Sequence, residues 1–219
     1  MSSSHILAPG SGPGSGDFGA PAHRAAPLPR LRTGAAQRIG LWVFMAVVTV
    51  LFSLFLAAYL MRVSAGDATA IAMPWQLWLS TAWLLAGSAA LQRSAVLSGQ
   101  GRPAQALLLT SGGCALGFIA TQWWAWASLL AAQVSLTGNP AGSFFYMLTA
   151  LHVLHVVGGL AAWVMVVRAA AHGASTGDNT WRIELCARYW HFLLAVWLVL
   201  FTAFSLITPE LAALICGTR

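Results

Sequence analysis

Between Ile39 and Met61 no residue carries a charge, and the run is closed on either side by Arg38 and Arg62. A helix rises about 1.5 Å per residue and the bilayer's hydrocarbon core is about 30 Å thick, so roughly 20 apolar residues make a natural span. Four further stretches of this kind follow. Pro74 suits a first helical turn, and the pattern predicts a second helix over 74–92. Arg93 and Arg102 bound a short polar loop. From Pro103 to Val167 there is again no charge, a length that holds two spans, and Thr137-Gly138-Asn139-Pro140 marks the break between them. Helices three and four are therefore predicted at 104–135 and 143–167. The segment 168–188, with Arg168, Asp178, Arg182, Glu184 and Arg188, reads as a loop, and a fifth helix is predicted over 189–208, ahead of Pro209. The fold class is all-α: an integral membrane bundle of five transmembrane helices within 37–210, the first at 39–61, with a short tail at 211–219.

Composition supports this division. Of 219 residues, 58% are hydrophobic and 7% charged, where a soluble domain would carry about 25% charged residues. The mean hydropathy is +0.74. Residues 1–36 are the exception, rich in Gly, Pro, Ser and Ala with Arg24, Arg30 and Arg32 near their end. Such a segment buries too little apolar surface to offset chain entropy, so a disordered basic arm is expected. It lacks the apolar core of roughly 7–15 residues that marks a cleaved signal peptide.

All eleven basic residues are arginine. Nine of them fall in the arm, the 92–103 loop and the 168–188 loop, while Arg62 and Arg219 fall on the other side. The positive-inside rule then predicts a cytoplasmic N-terminus and a periplasmic C-terminus, which five crossings require. The net charge of +6 is accounted for by these flanks, and no nucleic acid partner is implied. Trp42, Trp75 and Trp190 stand near predicted helix ends, where interfacial anchors belong. Gly113 with Gly117, and Gly158 with Ala162, offer small-residue pairs for close helix approach. Cys114, Cys186 and Cys216 show no CxxC spacing and read as unrelated thiols.

Ionisable groups at membrane depth are costly and so draw attention. Here they are His152 and His155 in helix four and His191 at the start of helix five. A spacing of three puts His152 and His155 on one face, with Thr149 one turn earlier. Gln122 and Tyr146 are available as hydrogen-bond partners. Haem ligation would need an opposed pair such as His152 with His191. Copper or zinc would need a third Cys or carboxylate ligand that the spans do not supply. The remaining reading is an interhelical hydrogen-bond cluster, with no catalytic, cofactor or metal residue in this chain. Arg62 and Arg188, at helix ends, are candidates for a lipid phosphate, because guanidinium presents a bidentate fork to it. The spans hold no Asp or Glu for a proton relay. There is no phosphate-binding loop, and no broken-helix repeat to suggest a transporter.

Three motifs in register resemble subunit III of the haem-copper oxidases. Gly40-Leu41-Trp42-Val43-Phe44 followed by Phe55-Leu56-Ala57-Ala58-Tyr59-Leu60 is similar to that family's first-helix pattern. Asn139-Pro140, Ser143, Leu148-Thr149, His152, His155 and Gly158 resemble its N-P…S…L-T-x-x-H-x-x-H-x-x-G. Tyr189-Trp190-His191-Phe192 with Trp197 resembles the opening of its last helix. The likeness covers about 38–207, and five helices look like the shortened bacterial form.

That resemblance implies a non-catalytic subunit of a respiratory terminal oxidase in a bacterial inner membrane. The complex would reduce oxygen with electrons from cytochrome c or quinol, coupled to proton translocation. Haem and copper would sit in partner subunits. This chain would pack beside subunit I, with subunit II in the same complex, and hold phospholipid in a cleft. Three acidic positions usual in the family fall on Val48, Ala125 and Leu194, so roles of those acids in proton handling do not transfer. The departure suggests a divergent branch, such as the subunit-III-like accessory protein of a nitric oxide reductase. An independent b-type cytochrome and a small transporter are the rivals from other classes.

Overall fold

The structure, a computed structural model, describes residues 33–64, 73–132, 140–171 and 176–206. These fold into five α-helices: α1 (Thr33–Ser64), α2 (Gln76–Gly99), α3 (Gln105–Ala131), α4 (Pro140–Ala171) and α5 (Thr176–Leu206). Four of them have long apolar stretches fit to cross a membrane, all but α2. The basic arm lies outside the described residues except for 33–36, which are helical, and the tail at 211–219 lies outside them altogether.

Every predicted helix is present, but the ends differ. The fifth begins at Thr176 rather than Tyr189, so Arg182, Glu184 and Arg188 ride on α5 instead of in a loop. Charge runs mark where lipid ends. They do not mark where a helix ends, because backbone hydrogen bonding continues into water wherever residues tolerate it. The same reason carries α1 back to Thr33 and α2 beyond Arg93 to Gly99. That helix stops for a specific cause. Gly101 takes φ +68°, and the Arg102 N–H donates to the Leu97 carbonyl at 2.9 Å, a left-handed turn that glycine enters without strain. Pro140 opens α4, where its missing N–H costs nothing.

The closest association is α2 with α3, followed by α2 with α5, and α1 packs on α4 and α5. In α2, Ser80, Thr81, Ser88 and Ser94 are buried, and Ser80 and Thr81 both donate to the Leu77 carbonyl, at 2.9 and 2.8 Å. These hydroxyls lower the helix's hydropathy yet face protein, where small residues let backbones come close.

Small residues do mediate the packing, at Gly117 as read but elsewhere one position away from where the pairs were read. Gly113 and Gly158 face open space, whereas a Cβ on the neighbouring Gly112 would strike the Trp163 ring, and one on Gly159 would sit 3.0 Å from Tyr189. Gly117 does pack, under the Trp83 ring. Trp190, expected at an interface, is 1% exposed and lies against Gly87 of α2. With α5 starting earlier, that residue is well inside the helix rather than at its end. Trp42 and Trp75 do face outward.

Candidate functional site

Tryptophan supplies the ties between helices. Trp126 Nε1 on α3 donates to Thr149 Oγ1 on α4 at 3.1 Å. Trp163 Nε1 on α4 donates to the Leu108 carbonyl of α3 at 2.8 Å. Trp197 Nε1 on α5 donates to Thr81 Oγ1 on α2 at 2.9 Å. An indole N–H buried in an apolar bundle must find an acceptor, and each of these does. Spacing gave no sign of these bonds, since tryptophan at a helix position reads equally as lipid anchor or core.

His152 is fully buried in the centre of the bundle. Its ring stands 5.2 Å from that of Trp197, 5.6 Å from Phe118 and 6.2 Å from Phe52, so α5, α3 and α1 all reach it. Neither of its ring nitrogens has a hydrogen-bond partner among the described residues, and the same is true of both polar atoms of Gln122. Thr149, one turn before His152, is buried. Its hydroxyl donates to the Phe145 carbonyl at 2.7 Å while accepting from Trp126.

His155 shares the face of His152 but turns toward α1, with Phe52 at 5.5 Å and Phe44 at 6.1 Å. Its Nδ1 lies 2.7 Å from the Leu151 carbonyl. A carbonyl only accepts, so Nδ1 carries the proton and the tautomer is fixed. The Tyr189 hydroxyl donates to the backbone carbonyl of His155 at 3.1 Å. Tyr146 is buried beside Phe145, with ring centroids 5.8 Å apart.

His191 occupies a different place. It is exposed between α5 and α2, its Nδ1 bonded to Ser88 Oγ and its Nε2 2.9 Å from Gln92 Oε1. The amide oxygen accepts, so Nε2 donates. Both ring nitrogens are thereby engaged by α2, and His191 does not oppose His152 as an axial ligand pair would. Among the described residues there is no group of three His, Cys, Asp or Glu side chains that could hold a metal ion.

The lining of one concavity was not legible in the sequence. A cleft of about 460 Å³ runs between α1, α4 and α5, lined by Leu41, Phe44, Gly158, Met165, Cys186 and Tyr189, with Gln37, Trp181 and Arg182 as its polar end. The Arg182 guanidinium lies 5.2 Å from the centre of the Trp181 ring, a cation–π geometry. Arg188 instead borders a smaller groove with Gln92 and Glu184, and Arg62 is exposed in the last turn of α1. Of the three acid-deficient positions, Val48 and Ala125 are buried and Leu194 is half-buried.

Residues 33–207 match the family model described as cytochrome c oxidase subunit III. A probable cytochrome c oxidase subunit 3 of Mycobacterium tuberculosis is 32% identical over 87 residues, 40% of this chain and 43% of that protein. The corresponding protein of Nocardia farcinica is 33% identical over 84 residues, 38% of this chain and 41% of its own length. Cytochrome c oxidase subunit 3 of a Synechocystis species is 39% identical over 70 residues, 32% and 30% of the two chains. The aligned stretches thus span less than half the length of these curated relatives.

Proposed function

The chain belongs to the cytochrome c oxidase subunit III family, and on that premise we propose that it serves a respiratory haem-copper oxidase as a non-catalytic membrane subunit. It packs beside the catalytic subunit I, with subunit II in the same assembly, in a bacterial inner membrane. The complex reduces oxygen to water and moves protons. Haem and copper reside in the partner chains. The observation that carries the reading is the extent of the family match, which takes in all five helices rather than one motif.

All five helices cross in this reading, with the N-terminus cytoplasmic and the C-terminus periplasmic. The helix α2 has 24 residues, about 36 Å at 1.5 Å per residue, enough to span. Its buried serines explain why composition alone undervalues it. The arginine distribution sets the direction.

The cleft between α1, α4 and α5 is the lipid site of this proposal. Its walls are apolar and its arginine stands at one end, which suits an acyl chain below an anionic headgroup. Arg182 is therefore a better phosphate partner than Arg62 or Arg188, which lie outside it.

A second reading has its own support. With Val48, Ala125 and Leu194 in place of acids, this chain holds no carboxylate at those depths to pass protons. That favours an accessory role beside a nitric oxide reductase. Purification of the tagged chain from native membranes and identification of its companions tests both. A stoichiometric oxygen-reducing haem-copper subunit is the expected result. A nitric oxide reductase large subunit would select the second reading, and a chain purifying alone with a haem band of its own would overturn both.

A further inference from the structure

Near the centre of the bundle two polar side chains sit fully buried with nothing to bond. Gln122 on α3 and His152 on α4 are each 0% exposed, and between them they leave four polar atoms without a partner among the described residues. Buried polar groups in native proteins are almost always paired, with protein or with ordered water. We propose that Gln122 and His152 hold ordered water between them, a hydration site enclosed by the rings of Phe52, Phe118 and Trp197.

The register of α3 against α4 puts the two residues at one level. Trp126 meets Thr149 at 3.1 Å, and the Phe118 ring meets that of His152 at 5.6 Å. Gln122 lies midway between Trp126 and Phe118, one turn from each on the same face of α3. Gln122 thus stands level with the turn of α4 that carries Thr149 and His152.

Protein alone cannot complete the bonding. A direct bond between the amide and the imidazole would join one atom of each and leave the other two bare. Thr149 cannot donate, because its only proton goes to the Phe145 carbonyl at 2.7 Å. The three rings around His152 offer no lone pair of comparable strength. Water carries two donors and two acceptors, and a neutral imidazole and an amide present both kinds. It is the species that can bridge one to the other, and polar surroundings of this kind are where internal water is retained.

The inference does not rest on the reading of the whole protein. The test uses the full chain in whatever assembly it purifies with. A structure of that assembly, at a resolution showing ordered solvent, should contain a solvent peak within hydrogen-bonding distance of both Gln122 and His152. A direct bond between the two side chains, or dry contact, would overturn the proposal. Infrared spectra give a second readout. An O–H stretching band that shifts when H₂¹⁸O replaces water should be present in the native protein and missing in Gln122→Leu. An isotope-sensitive spectrum identical in the two would also overturn it.

Discussion

The benzo ring of Trp163 lies against the Cα of Gly112, where a single added methyl would overlap it, while the indole N–H reaches the Leu108 carbonyl one turn away at 2.8 Å. Ring and N–H together seat α4 on α3. Gly112→Ala should therefore force the ring aside and lower stability by about 1–3 kcal/mol, the usual cost of overpacking. Gly113→Ala, next in sequence but facing open space, should be neutral or gain up to about 1 kcal/mol from helix propensity. Thermal denaturation in detergent of the two variants makes the comparison. Equal losses would contradict the packing described.

Thr81 accepts the only polar proton of the buried Trp197. Thr81→Val leaves that N–H without an acceptor in an apolar core, at a cost of about 1–3 kcal/mol. Thr81→Ser keeps the acceptor and loses one methyl, a cost of about 0.8 kcal/mol. The melting temperature should fall clearly for valine and little for serine. The reverse order would mean that the hydroxyl matters only as volume.

His152 and His155 share one face of α4 without any third metal-binding partner among the described residues. Replacing both with leucine should weaken retention of the subunit on heating or shorten sustained turnover, while the optical haem spectrum of the purified complex stays intact. Loss of a haem band would count decisively against a structural role.

Lipid retention can be read by native mass spectrometry. Arg182→Ala removes the only described cation bordering the large cleft and should lower the amount of bound phospholipid several-fold. Arg62→Ala, at the other end of α1, should leave it near the native level. If Arg62→Ala released the lipid and Arg182→Ala did not, the headgroup site would lie at the opposite membrane face.

Much of this molecule is written in its composition. Uncharged runs long enough to span a bilayer force helices, because lipid offers no partner for an open backbone, and five runs gave five helices. The family followed from motifs in register along the chain. What one dimension could not hold was facing. Gly112 and Gly113 are identical as letters, and only the seating of Trp163 separates the one that packs from the one that does not. His152, His155 and His191 look alike as polar intrusions. Yet the first is enclosed by three rings, the second fixed to its own helix, and the third turned outward to Ser88 and Gln92. The start of α5 also lay beyond sequence reading, since charge tells where lipid stops and hydrogen bonding tells where a helix does. Periodicity and hydropathy are properties of a segment by itself, whereas burial and register belong to pairs of segments and arise only when the bundle closes.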